Sequence, residues 1–131
     1  MTEQEITKRI DAIDDHVQEL DNERWELEHE LMRIQQEKLQ VLVGACITHK
    51  KKMYKVINVP QEDMMSAHFS FNPYQIPVVV LDGYEIFEDT IFSRAVNFDD
   101  PLEQLYKEYR TCSKLDFEYM LNNIITKIKE A

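Results

Sequence analysis

Apolar side chains recur every three and four residues through the first third of the chain. Ile6, Ile10, Ile13, Val17, Leu20, Leu27, Leu31, Ile34 and Val41 hold one heptad register, and Arg24 and Lys38 occupy the two remaining seam positions. A period of 3.5 residues places all of them on one face of a helix, and such a face needs another helix to cover it. The pattern predicts a coiled-coil helix over 1–43, opened by Thr2 and Glu5 as a capping box and stopped by Gly44. Ile6, Ile10, Ile13, Val17, Leu20, Arg24, Leu27, Leu31 and Ile34 are the predicted self-association residues, and a homodimer is the expected assembly. Beside the seam, Gln4, Asp11 and Gln18 give way to Trp25, Met32 and Leu39. That change widens the apolar arc to about 160°, so the second half of the helix is expected to dock on the rest of the chain.

Beyond Gly44 the period shortens to two. Cys46–His49 and Met53–Val59 read as strands joined by an exposed Lys50-Lys51-Lys52 tip. Ala67–Phe71, with Phe69 and Phe71 alternating, reads as a third strand. Pro77–Leu81 and Tyr84–Phe87 form a predicted hairpin centred on Asp82-Gly83, since both central positions of the common two-residue turn need positive φ. Thr90–Val96 adds a further expected strand. Asp99-Asp100-Pro101 is a helix start, with Leu102, Leu105, Tyr106 and Tyr109 facing inward. Ser113 caps a last helix whose inner face is Phe117, Leu121, Ile124, Ile125 and Ile128. The expected class is α+β: a long N-terminal coiled-coil helix (1–43), then a small domain (44–131) holding an antiparallel β-sheet and two short C-terminal helices.

Charge narrows the partners. The chain of 131 residues carries a net charge of -10. Residues 1–43 hold twelve acidic against five basic side chains, and residues 82–103 hold seven acidic against Arg94 alone. Such a field repels nucleic-acid phosphates and favours a basic protein surface. Asp82, Glu85, Glu88, Asp89, Asp99 and Asp100 are the predicted partner-binding residues, imitating phosphate charge or docking on a basic groove. Lys50-Lys51-Lys52, with His49, Lys55 and Tyr54, is the one basic cluster, and Tyr54, Phe69 and Phe71 on a sheet could stack bases. A hairpin tip kept soluble by lysines is the plainer account, so direct nucleic-acid binding is not expected.

Catalytic and cofactor motifs are missing. Gly44 and Gly83, the two glycines, are too few for Walker or dinucleotide loops. Cys46 and His49 form a C-x2-H pair that Cys112 or His68 could complete, but structural zinc wants two such pairs, so no metal is expected. Glu28-His29-Glu30 has no second histidine one turn on. Ser66, Ser70, Ser93 and Ser113 lack an elbow motif, and paired carboxylates such as Asp14-Asp15 read as solvated surface. The expectation is a protein without enzymatic activity, cofactor or catalytic residue. The start of the chain carries no secretory signal, and no apolar run approaches the ~18 residues of a membrane span. A cytoplasmic location is expected.

The order of Gly44-Ala45-Cys46-Ile47, Tyr54-Lys55-Val56-Ile57, Glu85-Ile86-Phe87 and a final Asp116-Phe117-Glu118 helix behind a coiled coil resembles small accessory proteins of phages and other mobile elements. The resemblance implies an origin and a mode of action, the binding of host proteins. Inhibitors of host nucleases, including anti-CRISPR and anti-restriction proteins, are similar in size and acidity. No residue-level motif matches, so no functional residue is carried over. The expected function is an acidic interaction module that binds, and thereby inhibits, a basic protein such as a nuclease. A coiled-coil adaptor and a nucleic-acid binder acting through the lysine tip are the alternatives.

Overall fold

A computed structural model describes the chain over residues 1–94 and 98–130. By its internal contacts the chain divides into two units, residues 1–33 and residues 34–131. Helix α1 runs from Glu3 to Leu39. The Thr2 hydroxyl accepts from the Glu5 backbone N–H at 3.2 Å, the first half of the capping box. No Gly or Pro interrupts the next 37 residues, a length of about 55 Å. Within the second unit the helix tightens into a 3₁₀ turn over Gln40–Leu42. Gly44 then turns the chain with φ +91°, a left-handed value that costs glycine nothing.

The second unit is built on a five-stranded antiparallel sheet. Its strands are β1 (Cys46–His49), β2 (Lys52–Val56), β3 (Gln75–Asp82), β4 (Glu85–Phe92) and the short β5 (Arg110–Thr111). Their order across the sheet is β4-β3-β2-β1-β5. Helix α2 (Pro101–Glu108) precedes β5, and α3 (Lys114–Glu130) follows it. The caps read from the sequence are in place. Asp100 accepts from the Glu103 N–H at 3.3 Å with Pro101 opening α2, and the Ser113 hydroxyl accepts from the Asp116 N–H at 3.0 Å.

Both faces of the sheet are covered, which explains the unbroken apolar run of β3. Ile76, Val78 and Val80 point to one face, where they pack with Leu39, Leu42, Ile47, Val56, Ile91 and Leu105. Leu81 points to the other, against Cys46 and the α3 residues Phe117 and Ile124, with Val79 packed at the edge of that cluster. Leu121 and Ile125 are half-buried, while Ile128 is exposed.

Several details depart from the sequence reading, among them Tyr106, read as facing inward but 41% exposed. Ala67–Phe71 is not a strand: it joins the structure through a single bridge, Glu62 to Phe71. Asp63, Ser66 and Asn72 side chains accept from nearby backbone N–H groups there, and these local bonds take the place of a ladder. Thr90–Phe92 is the end of β4 rather than a new strand, and Ala95 and Val96 lie outside the described residues. The β3–β4 hairpin closes on Asp82 and Glu85, so its central residues are Gly83 and Tyr84. Only Gly83 has positive φ, +61°, a type II′ arrangement. Of the broad stripe on α1, Leu39 is buried and Met32 half-buried, but Trp25 is exposed, its ring 4.0 Å from that of His29.

Candidate interaction surfaces

In the first unit the seam stands open. Ile6, Ile10, Ile13, Val17, Leu20, Leu27 and Leu31 are each between 45% and 62% exposed. Ile34, at the start of the second unit, is exposed as well. The helix leaves these side chains in one row, and Leu20, Leu27 and Leu31 line a shallow groove with Glu23, Arg24 and Glu28. Arg24 donates its Nε–H to Glu28 at 2.8 Å. That hydrogen bond, reinforced by the carboxylate charge, holds the guanidinium above its ordinary pKa. Arg24 is thus a fixed charge beside an apolar groove.

The six acidic residues singled out by charge do not form one surface. Asp82, Glu85, Glu88 and Asp89 lie on the last turn of β3 and on β4, the long open edge of the sheet. Because side chains alternate along a strand, Glu85 and Asp89 share the face of Val78 and Val80, while Glu88 shares the opposite face with Val79. Asp82 is 3.5 Å from the Lys52 ammonium, and Asp99 is 3.5 Å from that of Lys38. Asp100 is occupied as the cap of α2. Glu85, Glu88 and Asp89 are therefore the members whose charge faces water without a cation drawn to it among the described residues. Charged side chains on an edge strand disfavour its pairing with a strand of another chain.

Cys46 and Cys112 are brought together, which no feature of the sequence announced. The β1–β5 ladder pairs Ile47 with Thr111, and one step on the Cys112 N–H donates to the Cys46 carbonyl at 3.1 Å. Both thiols are free and border an open cleft of about 300 Å³ with Gly44, Leu102, Tyr106 and Lys114. Burial pushes the Cys46 thiol up, against the pull of Lys55 and Lys114. Burial and the neighbouring Cys46 push Cys112 up to about 11. Thiols held protonated are poor nucleophiles and poor metal ligands. His49 points to the other face of the sheet, where its ring meets Tyr109 edge-on at 5.8 Å, so the C-x2-H pair does not converge. Among the described residues no group of three or more His, Cys, Asp or Glu could hold a metal ion.

Among the same residues no helix is long and apolar enough to cross a membrane. No protein-family model, curated protein or solved structure matches the chain.

Proposed function

We propose that the protein is a non-catalytic interaction module that pairs with a second copy through the α1 seam and presents its acidic edge strand to a basic protein, acting as an inhibitor of a nucleic-acid enzyme would. The supporting observation is the row of seven apolar side chains in the first unit, all at least 45% exposed. An exposed apolar row of this length, broken at Arg24, is unusual on a monomer and marks a binding surface. Its heptad spacing matches another helix better than a flat surface. Completing the burial of a half-exposed Ile, Leu or Val contributes about 1 kcal/mol, so two copies of the row gain roughly 14 kcal/mol. The cost of bringing two chains together is about 4–15 kcal/mol, so the row alone reaches the ~8 kcal/mol of a micromolar dimer where that cost is about 6 kcal/mol or less.

The acidic half of the reading rests on Glu85, Glu88 and Asp89, which are exposed on the edge strand β4. Exposed charge of this kind acts mainly on the rate of encounter and is screened over ~8–10 Å near physiological salt. The test is co-purification with the parent protein and with Glu85, Glu88 and Asp89 changed to Lys, at low and high salt. Loss of a basic partner with salt and with this reversal, but not on reversing Asp14, Asp15, Glu19 and Glu23, is the expected result. A partner retained through both reversals and through high salt refutes the acidic docking. A heterologous helical protein held through the seam identifies an adaptor instead.

A further inference from the structure

The one basic cluster of the sequence becomes a shaped site. At the tip of the β1–β2 hairpin, Thr48, His49, Lys50, Lys51 and Arg110 line a concavity of about 290 Å³. Arg110 reaches it through the β1–β5 ladder, where it stands opposite Thr48. Lys52, the next residue along the run, is drawn to Asp82 at 3.5 Å. Lys50, Lys51 and Arg110 have no such partner among the described residues. Three cationic residues without a salt-bridge partner among the described residues therefore line one small concavity of an otherwise acidic protein.

The backbone supplies a second, independent observation. Lys50 and Lys51 have φ of 50° and 66°, the left-handed values of the two central positions of a type I′ turn. Asn-Gly adopts that turn readily, whereas a lysine in it crowds its Cβ against the following carbonyl. The chain accepts this strain twice in succession and keeps both ammonium groups. Strain held at an exposed position with less strained substitutes available points to a role for the side chains.

We propose that this hairpin tip is an anion site for a compact phosphate group, such as the terminal phosphates of a small phosphorylated ligand. Arg110 offers a planar fork for two oxygens, the lysines offer point charges, and Thr48, opposite Arg110 in the ladder, adds a donor. The field of the whole molecule selects for compactness. A phosphate seated in the concavity meets a lining with three cationic residues, whereas each further phosphate of a long chain meets the net charge of -10. The site uses the sign of charge opposite to the acidic docking proposed above and is independent of pairing.

The experiment is a heteronuclear NMR titration of the full-length protein with pyrophosphate, inorganic phosphate and a short single-stranded oligonucleotide. Saturable shifts confined to residues 48–51 and 110–111, weakening with salt, are expected with pyrophosphate. Lys50→Asn with Lys51→Gly should weaken that binding about ten-fold, because two charge-assisted contacts are lost, and Arg110→Gln should do the same. The double variant should also melt higher than the parent, since its residues suit the turn. No saturation by about 10 mM, a concentration that would detect even very weak binding, overturns the site. Unchanged affinity in the double variant does so too, and a lower melting temperature removes the strain argument. Tighter binding of the oligonucleotide than of pyrophosphate overturns the compact ligand in favour of nucleic acid.

Discussion

Replacing Ile13 by Ala gives the sharpest test of the helix seam. Ile13 is 62% exposed in the single chain, the most open of the apolar seam residues. Fully burying an isoleucine contributes about 1.5–3 kcal/mol, so covering the exposed part is worth about 1–2 kcal/mol per copy. Alanine keeps a fraction of that, and the substitution enters the dimer twice. The expected loss is about 2–3 kcal/mol of association free energy, a rise in Kd of roughly 30- to 150-fold. The effect is specific because alanine is the best helix former, so α1 itself is not weakened. The sheet core lies in the other unit and should melt within about 0.5 kcal/mol of the parent. Gln18→Ala is the control: its side chain donates to Asn22 at 3.2 Å, off the seam. Sedimentation equilibrium on all three proteins measures the result. A parent that is monomeric at about tens of micromolar, a concentration where a specific dimer of this size should form, refutes the pairing. Equal weakening by both substitutions would show that the register is wrong.

Three other outcomes follow from the structure. Arg24→Leu completes the apolar row at the cost of one exposed ion pair with Glu28, so association should tighten, as sedimentation would show; weaker association would mean that Arg24 meets a carboxylate across the interface. Leu105→Ala removes a fully buried side chain from the larger core cluster and should destabilise the second unit by about 2–5 kcal/mol in urea, with seam association unchanged. Cys112, held near 11 against an ordinary 9.0, binds its proton more tightly folded than unfolded, so its contribution to stability is intact below pH 9 and is lost as pH rises towards 11. Urea midpoints that fall across that window in the parent, and fall less in Cys112→Ser, are expected; parallel pH profiles would show that the thiol is not the cause.

The parts of this fold that were legible in the sequence are those governed by local rules. An uninterrupted helix, three caps with their acid or hydroxyl, a proline at the first helical turn and a glycine after the last all act within a few residues. The parts that were not legible depend on partners distant in the chain. β5 is only two residues long and has no period of its own; it exists because Arg110 and Thr111 meet β1. The proximity of Cys46 to Cys112, and the convergence of Arg110 on the lysine tip, are both consequences of that one ladder. The acidic candidates were legible as charge but not as surface, because alternation along β4 divides them between two faces and pairing occupies Asp82, Asp99 and Asp100.

The two hairpins show which force sets register. Centring the β3–β4 turn on Asp82-Gly83 would place Asp89 opposite Ile76, whereas the observed turn, shifted to Gly83-Tyr84, places Ile91 there, and Ile91 is buried. Cross-strand burial therefore overrode the preferred turn dipeptide, as it should when an apolar pair outweighs the small differences among turn types. The same force fixes the β1–β2 turn, since Ile47 and Val56 must face the core and a one-residue slip would expose them. Register thus places the two central turn residues at positions 50 and 51, and both take positive φ. It does not dictate that they be lysines, because both are exposed and no core contact constrains their identity. The core explains the turn, and only the side chains' own chemistry can explain the residues that occupy it.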